Sequence, residues 1–174
     1  MRALGPGSVS SFLKIILDVV FAALWIALGA VALATLAALL FSFNPDLFPD
    51  IMSKNASVVA TRGPLFAGML VVLGLSIGGV LVIVHSLRQI FTTLTAGDPF
   101  HPTNVSRLRL IGLMLAALEI GRYCVWGLSP FLPWIKDVKP DLSLTAWFSV
   151  LVVFVLAEVF REGARLRREA ELTI

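Results

Sequence analysis

The chain has 174 residues, of which 58% are hydrophobic and only 14% are charged, and its mean hydropathy is +0.93. A soluble domain of this length still exposes about a third of the surface of its unfolded chain, so it cannot cover that much apolar surface. The composition argues against a soluble domain, and the net charge of +3 fits a membrane topology better than direct nucleic-acid binding.

The first apolar block covers residues 12–43, long enough to cross a bilayer core of about 30 Å at about 1.5 Å per residue. Arg2 and Lys14 flank its start, and Ala32-Leu33-Ala34 resembles the small-residue site at which a signal peptide is cleaved. Because the run is too long for the apolar core of a signal peptide, we predict that it is retained as a spanning helix.

Three further apolar blocks predict spans over residues 65–94, 108–129 and 144–160, followed by a cytoplasmic helical tail over 161–174. Apolar residues fill these blocks, whereas a soluble amphipathic helix would show only an apolar stripe. Turn-forming residues separate the blocks, including Asn44-Pro45, Phe48-Pro49, Gly63-Pro64, Pro130, Pro133 and Pro140. We therefore predict an all-α fold in one domain, an integral membrane bundle of four antiparallel helices.

The second connection contains the most polar run between apolar blocks, GDPFHPTNVSRLR at residues 97–109. Gly97 suits the left-handed position just past a helix. Asp98 and His101 precede prolines and are biased towards extended conformations, while Thr103 or Asn104 is predicted to cap the next helix. The run is read mainly as a turn. A metal site formed by Asp98, His101 and His85 is the alternative, without a spacing motif to support it.

Basic residues are concentrated on one side of the predicted topology. The termini and the second connection carry Arg2, Lys14, Arg88, Arg107, Arg109, Arg161, Arg165, Arg167 and Arg168, against Lys54, Arg62, Lys136 and Lys139 in the other two connections. The positive-inside rule therefore predicts that both termini and the second connection are cytoplasmic. Trp126, Trp134 and Trp147 would then form an aromatic belt near the opposite interface.

Small residues predict where the helices pack closely, since helices in lipid associate through close backbone approach. The first block carries alanines at 23, 27, 30, 34 and 37, the second Gly74 and Gly78, and the third Ala117 and Gly121. Whether any of these faces a second copy of the chain is left open, so a homo-oligomer remains possible on this pattern.

Ionisable side chains within apolar blocks are functional candidates, because each is costly in lipid unless it is paired. Asp18, Arg88, Glu158 and Arg161 lie near the predicted cytoplasmic interface, level with Arg107 and Arg109. They predict salt bridges that close the bundle end or, alternatively, a polar vestibule for an anionic ligand or lipid headgroup. Glu119 and Arg122 lie deeper and, three residues apart, are predicted to pair; a proton or ligand site is the alternative.

The chain ends in EVFREGARLRREAELTI, a charged helix beyond the last apolar block. Its arginines suit both a helix C-terminus and an anionic leaflet. Leu172 and Ile174 follow the charged stretch. The tail is either a solvated segment on the headgroups or a docking peptide for a cytoplasmic protein.

These residues carry a resemblance to a known family. Gly97, Pro99-Phe100 and Asn104, the LRLIG at 108–112 and the terminal EVFREGARLRREAELTI make the chain similar to bacterial membrane proteins grouped as domain of unknown function 2975. The resemblance implies a multi-pass protein of the bacterial inner membrane with uncharacterised activity. Members often lie beside a gene for a small helix-turn-helix regulator, which implies a regulator as partner. The family provides no catalytic residues to carry over.

Two functions are compatible with the sequence. The first is a regulatory or scaffold protein that binds a soluble partner, such as a small DNA-binding regulator, through the loop at 95–107 and the tail. Its docking candidates are Phe100, Arg107, Arg165, Arg168, Leu172 and Ile174.

The alternative is a small transporter or channel subunit that uses Asp18, Glu119, Arg122 and Glu158. An enzyme is not expected, since there is no nucleophile with a nearby base, no metal-spacing motif and no phosphate-binding loop. No catalytic residue, cofactor or metal is predicted.

Overall fold

The computed structural model describes residues 9–43, 56–128 and 142–172, and all regular structure in these ranges is helical. Four helices follow one another along the chain: α1 (Val9–Phe43), α2 (Ala56–Thr95), α3 (Pro102–Leu128) and α4 (Leu144–Leu172). The prediction of an all-α chain with four helices is confirmed for the described residues. Several prolines of the predicted connections, together with Trp134, lie outside them.

Three of the helices contain stretches long and apolar enough to cross a membrane: Phe12–Phe43, Gly63–Thr95 and Leu144–Ala170. Large apolar side chains such as Ile26, Leu33 and Leu75 are exposed along them. Contiguous apolar surface of this extent needs an apolar surrounding, which a lipid bilayer provides. The chain therefore has the character of a membrane protein.

Helix α3 is not among the three candidate spans in the described part of the chain. It carries four charged residues that lower its hydropathy, namely Arg107, Arg109, Glu119 and Arg122. The helix lies where the third apolar block was expected, so the helical part of that prediction is confirmed. Its membrane crossing stays a prediction.

Helix α2 begins earlier than the sequence suggested. Gly63-Pro64 was expected in the first connection, but α2 begins at Ala56 and both residues are helical. A Cβ atom added at Gly63 would lie 2.9 Å from the Cβ of Ser42 in α1, so this glycine marks a close approach of the two helices. Pro64 is the ninth residue of α2 and has no backbone N–H, so the carbonyl of Ala60 lacks the hydrogen bond that it would accept in a regular helix interior.

The chain divides into two compact units, which are described separately. Val20–Leu81 forms one unit, in which Gly74 faces Val31 at an ordinary contact distance, 3.6 Å from an added Cβ atom. The expected close packing at Gly78 and Gly121 does not hold within the described chain, because an added Cβ atom at either would meet nothing within 4 Å. At Gly78 and Gly121, small residues at four-residue spacing therefore did not locate a tight contact.

The second unit comprises Met1–Val19 and Val82–Ile174. Its core is a cluster of Ile90, Leu108, Ile111 and Ala157, contributed by α2, α3 and α4. Gly112 of α3 brings Phe154 of α4 close, since an added Cβ atom would lie 3.0 Å from the ring. Contacts between α3 and α4 run in opposite order, from Arg109 with Glu158 to Tyr123 with Trp147.

The turn between α2 and α3 has a defined geometry. Gly97 has a φ of 83° and donates its N–H to the Leu94 carbonyl at 3.1 Å, while the Asp98 N–H donates to the Thr93 carbonyl at 3.0 Å. This pair of bonds is the Schellman arrangement that ends a helix on a left-handed residue. The predicted role of Gly97 is therefore confirmed.

The cap of α3 differs from the sequence prediction. Helix α3 begins at Pro102, and Nδ1 of His101 accepts the Thr103 N–H at 3.3 Å. The His101 carbonyl accepts the Asn104 N–H at 2.9 Å. The prediction of Thr103 or Asn104 as the cap was wrong, because proline favours the first helical position and moves the cap back to His101.

Gly97→Ala is expected to lower the free energy of unfolding by about 1 kcal/mol, because a Cβ atom is unfavourable in the left-handed region. Gly121→Ala is the matched control: Gly121 is helical and faces open space, so alanine there should be neutral or slightly stabilising. Denaturant unfolding in mixed micelles measures both. Equal effects of the two substitutions would contradict the role assigned to Gly97.

Candidate functional site

The buried side chain of Asn104 joins the end of α2, the loop at residues 96–101 and the start of α3. Asn104 is fully buried, at 0% exposure. Its Nδ2 donates to Thr93 Oγ1 at 2.7 Å and to the Pro99 carbonyl at 3.0 Å, and its Oδ1 accepts from Arg107 at 3.1 Å. We call these four residues the Asn104 network. Because the amide is satisfied on both its nitrogen and its oxygen, the network fixes the loop without an unpaired buried group.

Arg107 belongs to this network rather than to a free surface. Its Nη1 donates to the Gln89 carbonyl and to Asn104 Oδ1, each at 3.1 Å. The side chain is thus bonded to α2 as well as to its own helix. Its role as a docking residue stays a prediction, and its observed contacts support the loop.

The loop is attached to α4 through two side chains, and we call this attachment the loop clamp. Asp98 forms an ion pair with Arg167. The ring of Phe100 packs on that of Phe160 with centroids 5.6 Å apart. A Cβ atom added at Gly163 would lie 2.6 Å from Cδ1 and Cε1 of Phe100, so the ring occupies space that only glycine leaves open.

Neither the Asp98–Arg167 pair nor the role of Gly163 was predicted from the sequence. Asp98 and Arg167 are 69 positions apart, and no spacing rule connects residues at that separation. Phe100 was predicted as a docking candidate. The structure places it against α4 with 38% of its surface still exposed.

The other side of the α4 tail is open. We call its exposed residues the tail face; they are Glu162, Arg165, Arg168, Glu169 and Leu172, and together with Arg161 they line a shallow depression. Arg165 pairs with Glu162 at 2.8 Å and with Glu169 at 3.3 Å. Within the described residues Arg168 has no ion pair. Three docking candidates therefore share one surface, whereas Ile174 lies outside the described residues.

The charges expected near one end of the bundle form two separate groups. Arg88 Nε lies 2.6 Å from Asp18 Oδ1, which pairs α2 with α1. Glu158 accepts from Arg109 of α3 at 2.9 Å and from Arg161 at 2.7 Å. Both groups lie among the candidates predicted from the sequence.

Glu119 lies at the centre of a polar cluster between α3 and α4. Its Oε1 accepts from Arg122 at 2.5 Å and from the Tyr123 hydroxyl at 2.7 Å. Trp147 of α4 donates its indole N–H to the same hydroxyl at 3.2 Å. The predicted Glu119–Arg122 pair is present. Tyr123 is four residues after Glu119, a spacing at which two side chains on a helix also meet. The contact of Trp147 with Tyr123 was not predicted, because Trp147 belongs to another helix.

The residues of the alternative metal site have other contacts. Nε2 of His85 lies 2.8 Å from Nε2 of Gln89, and His101 Nδ1 lies 2.6 Å from the Thr103 hydroxyl. Within the described ranges, no three His, Cys, Asp or Glu residues are grouped so that they could hold a metal ion.

Comparison with known proteins gives one match. A family model described as "Protein of unknown function (DUF2975)" matches residues 47–174. The matched range contains α2, α3, α4, the Asn104 network and the loop clamp. Searches of curated proteins and of solved structures found no match.

The close approach of Phe100 to Gly163 predicts a coupled effect of two substitutions. Gly163→Ala is expected to cost about 1 to 3 kcal/mol of unfolding free energy, because the new methyl group collides with the ring. In a Phe100→Ala background the same change should be neutral or stabilising by up to about 1 kcal/mol, the ordinary helix preference for alanine. Denaturant unfolding of the four proteins in mixed micelles gives the coupling energy. Additive effects would show that the loop does not pack on α4 at this position.

Proposed function

Because the chain belongs to the family of proteins of unknown function DUF2975, we propose that it is a multi-pass protein of the bacterial inner membrane that holds a soluble cytoplasmic partner on its tail face. The family match covers both the loop and the whole of the tail. The regulatory partner expected from the family resemblance is a small helix-turn-helix protein. If the membrane protein held such a regulator, less of the regulator would be free in the cytoplasm to bind DNA.

The membrane arrangement proposed is four antiparallel spans with both termini in the cytoplasm. Three helices have the length and composition of spans, and α3 runs opposite to α4 in its contacts. The Glu119–Arg122 pair is internally neutral, which lowers the cost of placing α3 in lipid. The excess of basic residues at the termini and the second connection supports the cytoplasmic orientation.

One observation carries the docking proposal: α4 continues without a break from its apolar segment into the charged tail. From Glu158 to Leu172 the helix advances about 21 Å, at about 1.5 Å per residue. The loop clamp holds the opposite side of this segment, through Asp98 and Phe100. A surface held in one orientation before binding loses less entropy when a partner docks.

The chemistry of the tail face favours a protein partner over nucleic acid. It carries two arginines and two glutamates, and Leu172 adds an exposed apolar side chain at 83% exposure. Mixed charge matches a polar protein helix of complementary pattern, whereas phosphate backbones favour unbroken positive charge. The transporter alternative is not proposed, since two donors already engage the Glu119 carboxylate.

Sidedness reporters test the arrangement in the membrane. Fusions at the N-terminus and after residue 174 are expected to report the cytoplasm, and a fusion after Leu128 is expected to report the opposite side. These outcomes follow from four crossings, with α3 as the third. Termini on opposite sides would show that α3 does not cross, and would remove the tail face from the compartment of the proposed partner.

Charge reversal on the tail face tests the docking proposal. Arg168→Glu should reduce recovery of the helix-turn-helix partner about tenfold, equivalent to about 1.4 kcal/mol, because it places like charges across the interface. The measurement is quantitative co-purification of the tagged full chain from native membranes in mild detergent, followed by direct binding of the purified partner. Arg168 suits this test because its reversal breaks no ion pair among the described residues.

Lys14→Glu is the matched control, since Lys14 is an exposed cation on α1 and on the same proposed side of the membrane. It should leave recovery of the partner unchanged. Equal recovery from wild type, Arg168→Glu and Lys14→Glu would overturn the assignment of the tail face.

A further inference from the structure

Glu158 holds two arginines from different helices at the surface of the second unit. Arg109 of α3 and Arg161 of α4 approach separate carboxylate oxygens, at 2.9 Å and 2.7 Å. The side chains of Arg109, Glu158 and Arg161 are 47%, 50% and 63% exposed. We call these three residues the Glu158 cluster. It joins α3 to α4 and remains open to the surroundings.

The cluster keeps unused binding capacity. A guanidinium has five N–H donors in a planar fork, and each arginine contacts Glu158 through Nη2 alone. Neither has another hydrogen-bond or ion-pair partner in the part of the chain that the structure describes. Two positive charges face one negative charge, so the cluster has one positive charge in excess.

The cluster also lies at a boundary in the sequence. Glu158 directly follows the apolar run of α4, and Arg109 directly precedes the LIGLMLAAL run of α3. Next to the cluster on the apolar side are two exposed side chains, Leu113 at 56% and Val155 at 53%. Leu113 is four residues after Arg109 and Val155 three before Glu158, so each shares a helix face with its charged neighbour.

We propose that the Glu158 cluster binds the phosphodiester headgroup of an anionic phospholipid in the cytoplasmic leaflet. The unused donors of Arg109 and Arg161 bind the phosphate oxygens in the paired geometry that guanidinium groups favour. The acyl chains lie along Leu113 and Val155. One excess positive charge matches one phosphodiester, and it disfavours headgroups that carry an ammonium group of their own.

This site rests on the proposed membrane location. Arg161 also lines the depression on the tail face, but Arg109 and Glu158 do not, so the two proposals can fail separately. It also explains why Arg109 and Arg161 are both present at one carboxylate, since a single arginine would already neutralise Glu158. Glu158 itself links α3 to α4 through its two ion pairs. The lipid, in turn, joins α3 and α4 at the level of the headgroups.

Native mass spectrometry of the full chain in detergent, titrated with phosphatidylglycerol or with phosphatidylcholine, tests the proposal. Arg109→Gln and Arg161→Gln should each weaken phosphatidylglycerol binding roughly fivefold, the value of one basic side chain near an anionic surface. Lys14→Gln removes an equal charge elsewhere and should have no effect. Phosphatidylcholine should bind more weakly than phosphatidylglycerol to the wild type, with no difference among the variants.

Glu158→Gln separates lipid binding from a purely structural ion pair. Removing the carboxylate leaves both arginines and raises the excess positive charge, so phosphatidylglycerol binding should be kept or strengthened. A loss matching that of Arg109→Gln would overturn the proposal, as would arginine variants that bind like Lys14→Gln. Displacement of phosphatidylglycerol by millimolar inorganic phosphate would likewise overturn it, because the site would then take soluble phosphate instead of a lipid.

Discussion

The buried amide of Asn104 is the interaction on which the arrangement of the second unit depends. It is fully enclosed, and its donors and acceptor contact Thr93, Pro99 and Arg107. A buried polar group that loses a partner costs about 1 to 3 kcal/mol, so these contacts persist together. The Asn104 amide therefore holds three consecutive segments in fixed positions relative to one another: the end of α2, the loop and the first turn of α3.

From this fixed loop the orientation of α4 follows. Because the Pro99 carbonyl is held by Asn104, the adjacent Asp98 and Phe100 are carried to α4, where they meet Arg167 and the open side of Gly163. The Schellman turn at Gly97 makes this course possible, since it reverses the chain within two residues of the helix end. A tail that would otherwise be attached only through its apolar segment thus has a second point of attachment, and one side of it is left exposed.

Local features of this structure were accessible from the sequence, and long-range ones were not. Four apolar blocks predicted four helices, a glycine before Asp-Pro predicted the left-handed turn, and the three-residue spacing predicted the Glu119–Arg122 pair. The His101 cap was missed because several neighbouring residues can cap a helix. Pro102 takes the first helical position and so moves the cap to the residue before it. The Asp98–Arg167 pair and the Phe100–Gly163 contact were missed because they depend on how α4 packs. Four of the helical glycines look alike in the sequence. In the structure, Gly163 and Gly112 each lie against a phenylalanine ring, whereas Gly78 and Gly121 face open space, and only the packing of the helices decides which is which.

Two acidic side chains within the helices are each paired with one arginine. Asp18 has Arg88 and Glu119 has Arg122, so each of these acids is matched by one arginine and the pair is neutral. A neutral pair lowers the cost of a polar group within an apolar helix. Glu158 differs from these two acids, because it takes two arginines at the point where the apolar run of α3 begins and that of α4 ends. The excess positive charge of the Glu158 cluster thus lies at the boundary of these apolar runs, whereas the acid farther along α3 is balanced by one arginine of its own helix. The Asp18–Arg88 and Glu119–Arg122 pairs thus connect parts of the fold at little cost in charge, and both proposed binding surfaces, the Glu158 cluster and the tail face, lie on α4.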